Sequence, residues 1–269
     1  MTTPAGTDPR PLVRVERGGG VAVVLLDRPE ALNALSDGLR EALVGALAGI
    51  AEEEGVTAVV LTGSGRAFCA GGDLKAMQQR LERPQGSVAF AGWRRMHTVS
   101  AAVTLLHSLD KVTVAAVNGP AVGLGCDLAL CCDFVVASSE ATFAMSYAKR
   151  GLVPDGGGMY YLPRRVGLAK AKELLFSGRT VAAEEAMEIG IADRLVEPAA
   201  LLEAARTLAE EMTAASPTAL ALTKSILNRS FELELDEVYA LGASAQAICY
   251  TTDDHREAVR AFLDSRRRG

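Results

Sequence analysis

One run of small residues, Arg66-Ala67-Phe68-Cys69-Ala70-Gly71-Gly72-Asp73-Leu74, constrains this chain more than any other stretch. It follows the apolar segment Ala58-Val59-Val60-Leu61 and a Gly63-Ser64-Gly65 turn, and it leads into a segment that reads as helical. Glycines lower the cost of unusual dihedrals, and small side chains let another group approach the backbone. The first N–H groups of a helix have no partner inside it, so a turn of this kind can bind an anion or a developing oxyanion. A second segment of the same kind, Asn118-Gly119-Pro120-Ala121-Val122-Gly123-Leu124-Gly125, follows the apolar run from Val112 to Val117. Two such turns can aim two backbone donors at one carbonyl oxygen.

The 269 residues fit a single α/β unit, and a hydrophobic content of 49% is ample for a large core. A net charge of −5 argues against a nucleic-acid partner, which selects for a basic face. The five cysteines show no paired metal spacing, and Cys131-Cys132 sit side by side in an apolar run as small hydrophobes. Their odd number and the lack of a secretory signal point to a reducing, cytoplasmic setting. No apolar stretch is long enough to span a bilayer.

Residues 1–11 carry prolines without apolar period and read as a loose tail. Val21 to Leu26 is a strand closed by Asp27-Arg28-Pro29. Ser36 or Asp37 caps a helix with the apolar face Leu39, Leu43, Leu47 and Ile50, and Gly55 ends it. Thr57 to Leu61 is the next strand, so strand, helix and strand imply a parallel pair. Residues 78–93 are polar and irregular, with Pro84 and Gly86, and read as a mobile loop. A short helix begins near Gly123, and Phe134-Val135-Val136 is a strand. Beyond Gly167 the pattern turns helical: Thr180 precedes a helix ended by Gly190, and Ser216-Pro217 starts another. Asp254 with Glu257 resembles a capping box for the last helix, whose core face is Val259, Phe262 and Leu263.

Phosphate-loop, nucleophile-elbow and HExxH signatures are missing, and Gly123-Leu124-Gly125 is only part of a dinucleotide fingerprint. His97, His107 and His255 lack ligand spacing and read as surface or packing residues, so no metal site is expected. The segments Arg28-Pro29-Glu30-Ala31-Leu32-Asn33-Ala34-Leu35, Ala67 to Leu74, Val117 to Asp133 and Gly151-Leu152-Val153-Pro154-Asp155, taken in this order, are specific as a set. With them the chain resembles the enoyl-CoA hydratase/isomerase (crotonase) family from Val13 to Leu263.

The resemblance implies an α/β fold, a spiral of ββα turns with a helical C-terminal trimerisation region. The spiral core with the acyl-CoA site would cover residues 12–198 and the helical region 199–269. It implies a homotrimer or a dimer of trimers acting on a coenzyme A thioester, with no cofactor beyond the coenzyme A of the substrate. By motif position the N–H groups of Gly72 and Leu124 would hold the enolate oxygen. Ala70, Gly71, Gly72, Asp73, Leu74 and Lys75 would line the coenzyme A site, with Ala31 beside them. Arg28 and the run Arg266-Arg267-Arg268 are candidates for the coenzyme's phosphates, or else belong to a solvated charged face. Trp93 and His97 close over the acyl group or simply pack.

Hydratases of this family use two glutamates. The first falls at Asp127, one methylene shorter, and the second at Tyr147, which reads as a pocket wall beside Phe143 and Met145. Asp127 is a candidate for orienting water, with a helix-terminal hydrogen bond as its structural alternative. Asp155 matches the aspartate in the Gly-Leu-x-Pro-Asp pattern of members that move enoyl-CoA double bonds. Its carboxylate would remove a proton and return it at another carbon; otherwise it is an N-cap ahead of residues 156–158. The expectation is therefore an enzyme of isomerase type on a fatty or aromatic-pathway acyl-CoA. The alternatives are water addition to a 2-enoyl-CoA, nucleophilic attack by Asp155 on an aryl-CoA, and a non-catalytic acyl-CoA binder.

Overall fold

Near-continuous apolar runs are the signature of strands buried on both faces, because both sets of alternating side chains must then be apolar. The computed structural model, which describes residues 10–82 and 84–267, turns these runs into a six-stranded sheet. In chain order the strands of the fold are β1 (Val13–Gly18), β2 (Val21–Leu26), β3 (Ala58–Gly63), β4 (Val112–Val117), β5 (Pro120–Val122), β6 (Phe134–Ser138), β7 (Thr142–Ala144), β8 (Thr180–Ala182) and β9 (Arg194–Val196). The large sheet has the order β1-β2-β3-β4-β6-β9, antiparallel at β1/β2 and parallel elsewhere. A small sheet, β5-β7-β8, lies apart from it.

The helices are α1 (Asp37–Ala51), α2 (Leu74–Leu81), α3 (Gln85–Ser108), α4 (Leu124–Leu130), α5 (Gly158–Val166), α6 (Leu168–Ser177), α7 (Ala183–Glu188), α8 (Leu201–Met212), α9 (Pro217–Leu227), α10 (Leu235–Cys249) and α11 (Asp253–Arg267). Ser36 caps α1 by accepting from the Leu39 N–H, and Leu39, Leu43, Leu47 and Ile50 are fully buried, as their spacing requires. They pack with Ala22, Val24, Leu26, Val59 and Leu61 on one face of the sheet. The intervening residues Val21, Val23, Ala58 and Val60 point to the other face, which α8 covers with Leu201, Ala205, Leu208 and Ala209. Lys224 on α9 ties this region to the sheet: its Nζ donates to Asp133 Oδ2 at 2.7 Å and to Lys111 O at 2.9 Å.

Several expectations change. In place of a loop, residues 78–81 belong to α2 and 85–93 to α3, with Pro84 at the N-cap of α3, where a missing N–H costs nothing. Leu81, Phe90 and Trp93 are exposed. The region beyond Gly167 is not purely helical, because β8 and β9 return to the two sheets. Val259, Phe262 and Leu263 are exposed, so the apolar stripe of α11 has no core within this chain to face. Asp254 accepts from Ser216 Oγ, while the His255 N–H is taken by Thr252 Oγ1. Among the described residues no helix is long and apolar enough to cross a membrane.

Residues 1–9 of the expected tail lie outside the described residues, but Arg10 is anchored. Its Nε donates to Asp27 Oδ2 at 2.8 Å, as does Nε of Arg14 at 2.8 Å. The hydrogen bond from Arg10, reinforced by the charge of Arg14, lowers the buried Asp27 carboxyl to about 2 against the opposing effect of burial. A folded-state value below the unfolded one stabilises the native state above the unfolded pKa of roughly 3.9. That contribution disappears as pH falls through the folded value. The gap in urea midpoint between wild type and Asp27→Asn should therefore narrow as pH drops from about 5 to about 2. A gap that stays constant over that range would exclude the ion pair as its source.

Candidate active site

The segment 69–71 is stitched on two sides. The Cys69 N–H donates to Pro120 O at 3.1 Å and the Val122 N–H to Cys69 O at 2.9 Å. On the other side the Ala70 N–H donates to Leu32 O at 2.9 Å and the Leu35 N–H to Gly71 O at 2.7 Å. Gly71 has φ +85°, and a Cβ there would lie 2.4 Å from Val122 O and 3.4 Å from Leu124 N. Only glycine lets the two donor turns come this close. Among the described residues neither the Gly72 N–H nor the Leu124 N–H meets an acceptor, and Leu124 is the first residue of α4. Both residues border one open cavity of about 1040 Å³.

Arg28 and Asp73, both expected at the coenzyme, hold each other. Arg28 Nη1 donates to Asp73 Oδ2 at 2.5 Å and to Ala34 O at 3.0 Å, and Asp73 Oδ1 accepts from the Ala76 N–H at 3.1 Å. The hydrogen bond from Arg28 keeps the Asp73 carboxyl below the usual carboxylate range. The pair fixes the start of α2 to the turn at residues 28–34. Asn33 completes this latch. It is buried and left-handed (φ +56°), its Oδ1 accepts from the Arg28 N–H, and its Nδ2 donates to Ser64 O at 2.9 Å and Ala67 O at 2.8 Å. Asparagine is among the few residues that tolerate this conformation, which was the available clue in the sequence.

Arg28, Ala31, Ala70, Gly71, Gly72, Asp73, Leu74, Lys75, Leu124, Tyr147 and Asp155 all line the same cavity. Met77, Ser146, Arg150, Leu152 and Val153 also line it, without any sequence signal that marked them. Arg150 Nη1 donates to Ser146 Oγ at 2.7 Å, which puts a cation and a hydroxyl on the wall that carries Tyr147. Phe143 and Met145 are core residues and not part of the wall. Phe143 lies in β7 and Met145 just after it, both buried in the core, and the chain reaches the cavity with Ser146 and Tyr147.

The two aspartates differ sharply. Asp155 is exposed to the cavity, and the N-cap position of α5 belongs to Gly157. Asp127 is fully buried and is not on the cavity wall. The Tyr147 hydroxyl donates to Asp127 Oδ2 at 2.5 Å, while Oδ1 has no partner among the described residues. Burial pushes the Asp127 carboxyl up to about 7; the Tyr147 hydrogen bond opposes this and the charge of Asp155 adds to it. Tyr147 itself is raised by burial and by Asp127, so its phenol keeps its proton.

Other candidates fall elsewhere. Trp93 stacks on Phe90 at 6.0 Å between centroids and does not line the cavity. The side chains of His97 and Arg267, and all of Arg268, lie outside the described residues, while Arg266 sits over the Phe262 ring at 5.2 Å. His107 packs edge-on against Tyr160 and Tyr161, and His255 against Tyr250. Burial raises the Cys69 thiol to about 12, which leaves it inert beside the donor turn.

A cavity bordered by two backbone N–H groups without acceptors among the described residues, with the exposed Asp155 carboxylate on its wall, can hold an oxyanion and move a proton beside it. Known proteins resemble this chain along nearly its whole length. The family model described as enoyl-CoA hydratase/isomerase matches residues 16–268. A short-chain-enoyl-CoA hydratase of Clostridium acetobutylicum is 35% identical over 259 residues, covering 95% of this chain and 95% of that protein. A crotonyl-CoA hydratase of Syntrophomonas wolfei is 32% identical over 254 residues, covering 94% and 95%. The crystal structure of an enoyl-CoA hydratase/isomerase from Cupriavidus metallidurans CH34 superposes with a TM-score of 0.87 at 36% identity, over 96% of each chain. With a match along nearly its whole length and the same fold, the chain belongs to the enoyl-CoA hydratase/isomerase family of enzymes and has the crotonase fold.

Proposed function

We propose that this enzyme moves the double bond of an enoyl-CoA, with Asp155 as proton shuttle and the N–H groups of Gly72 and Leu124 holding the enolate oxygen. The observation that carries this reading is the division between the two aspartates. Asp155 stands on the cavity wall, whereas Asp127 is buried off that wall and bound by Tyr147, and the wall carboxylate Asp73 is engaged by Arg28. A carboxylate acting by itself, as Asp155 would, is suited to taking a proton from one carbon and supplying one to another, and less suited to gripping a water from two sides. The coenzyme A moiety supplies the only cofactor chemistry the proposal uses. It would lie along Ala31 and the turn from Ala70 to Lys75, with Arg28 and Lys75 toward its charged end.

Water addition is the second reading, favoured by the names of the Clostridium and Syntrophomonas relatives, both hydratases. In that case Asp155 would have to orient the water alone. The exposed apolar side chains of α10 and α11, among them Leu235, Tyr239, Ile248, Phe262 and Leu263, support self-association as a homotrimer or dimer of trimers. The free cysteines, four of them buried, support a cytoplasmic setting.

A panel of 2-enoyl- and 3-enoyl-CoA thioesters in heavy water separates the readings. Deuterium at the α or γ carbon without mass gain from water supports isomerisation, and hydroxyacyl-CoA products support hydration. Asp155→Asn should keep acyl-CoA affinity and lose roughly 100-fold or more in kcat, the usual scale of general acid–base catalysis. Unchanged turnover in that variant removes Asp155 as the shuttle.

The donor role of Leu124 has its own test. Leu124 is the first residue of α4, where proline is tolerated, and the preceding Gly123 can adopt unusual dihedrals. Leu124→Pro should lower kcat by about 100- to 1000-fold relative to Leu124→Ala, because both variants lose the side chain and only the first loses the donor. Equal kcat values for the two would exclude the Leu124 N–H as an oxyanion donor.

A further inference from the structure

The feature least used by this mechanism is the buried pair Asp127–Tyr147. A carboxyl on the first turns of α4, with no exposed surface, has one oxygen bound by the Tyr147 hydroxyl at 2.5 Å and the other without a partner among the described residues. An ionised carboxylate would be costly there, since charge is stable in an interior only when it is paired and hydrogen-bonded. The ring of Tyr147 lies against Gly123, 3.7 Å from where a Cβ of that residue would sit, and so beside the donor turn at Leu124. The turn carrying Asp155 presses on the same carboxyl. A Cβ at Gly156 would come within 2.3 Å of Asp127 Oδ2, and one at Gly158 within 2.5 Å of Oδ1. Asp127 is off the cavity wall but bound to Tyr147, which lines it, whereas Asp155 lines it directly.

We propose that Tyr147 is a further catalytic residue, a proton donor to the acyl chain, and that Asp127 is the positioning residue behind it that replaces the phenolic proton. This rests on the isomerase reading above. Asp155 takes the α proton of a 3-enoyl-CoA as the Cα–H bond breaks and the enolate forms on the two backbone amides. With Asp127 protonated on Oδ2, the hydrogen bond runs from its O–H to the phenol oxygen, which frees the Tyr147 proton; the electrons then reach the γ carbon, which takes that proton as the Tyr147 O–H bond breaks, while Asp127 passes its own proton to the phenol oxygen. The double bond has moved, Tyr147 is restored, Asp127 is ionised and Asp155 protonated. Asp155 gives its proton to solvent through the open cavity, and Asp127 regains one through Tyr147.

The two carboxyls are coupled so as to favour this order. The charge of Asp155 helps raise Asp127, so neutralising Asp155 in the first step makes Asp127 a stronger acid for the second. The titratable groups that face Asp127 are Tyr147, Asp155, Tyr161 on α5, and Cys126 and Cys131 on or just after its own helix, none of them a cation, and the Gly156 N–H beside it opposes the rise that burial causes.

The test uses trans-3-hexenoyl-CoA deuterated at the α carbon, with loss of label to water and formation of the 2-enoyl product followed separately. Tyr147→Phe should exchange the label within about threefold of wild type yet form product roughly 100-fold more slowly, the scale of a lost general acid. Asp127→Asn, checked for a wild-type melting profile, should behave alike. The wild-type kcat for product should also fall as pH rises through Asp127's value of about 7, a fall Asp127→Asn should lack. Product formation at the wild-type rate by Tyr147→Phe overturns the proposal, and so does loss of exchange together with product. Asp155→Asn that retains exchange overturns the isomerase reading instead. No exchange and no product with the wild-type enzyme overturns both.

Discussion

The double stitching of residues 69–71 is the constraint on which the site depends. One edge of this segment is hydrogen-bonded to β5 and the other to the turn at residues 32–35, so it bridges two parts of the chain far apart in sequence. Backbone hydrogen bonds of this kind are individually modest in net stability but leave little room for error, since an unmade buried one costs far more than a made one gains. The consequence is that two N–H groups, on Gly72 and Leu124, are left at the cavity by construction. Arg28, Asp73 and Asn33 lock the outer edge in place by ion pair and side-chain amide.

The sheet behind the site makes this precision possible. Its parallel strands are buried on both faces, by α1 on one side and α8 on the other, so their ends are held rigidly. The donor turns follow the C-terminal ends of β3 and β4, which are neighbours in register from Ala58↔Val112 to Thr62↔Ala116. That is where ligands generally meet open parallel sheets, outside the carboxyl ends of the strands. A frame of this kind would preorganise the donors proposed at Gly72 and Leu124, the condition under which such hydrogen bonds contribute most to catalysis.

Electrostatics then divides two chemically identical side chains. Asp155, on an exposed turn, is accessible to the cavity, and Asp127, one helix away, is enclosed and pushed toward neutrality by burial. Pairs of titratable groups whose environments drive them apart are how one site obtains both an acid and a base near neutral pH. The phenol of Tyr147 links the enclosed member to the cavity, so a position that reads in the sequence as a missing carboxylate carries a hydroxyl backed by one.

Much of the fold was legible because period and capping are local. The apolar runs gave β2, β3 and β4, the spacing of Leu39, Leu43, Leu47 and Ile50 gave α1, and Ser216-Pro217 marked the start of α9. The order of the small-residue turns and their neighbouring motifs was enough to indicate the family and the segments that border the cavity, since a turn that requires glycine can be recognised without its partners. Residues 78–93 could not be read correctly, because their sequence lacks an apolar helical period and Pro84 and Gly86 read as loop residues, whereas α2 ends at Leu81 and α3 begins at Gln85. Nor could the sequence tell that Arg28 is engaged by Asp73, that Asp127 is enclosed while Asp155 is not, or that the stripe of α11 faces away from this chain's core. Those facts depend on which distant segments meet, and burial and pairing are properties of that meeting. Local period and capping sufficed for β2 to β4, α1, the start of α9 and the small-residue turns, whereas contacts between distant segments settle that Asp155 lines the cavity while Asp127 is buried behind a phenol.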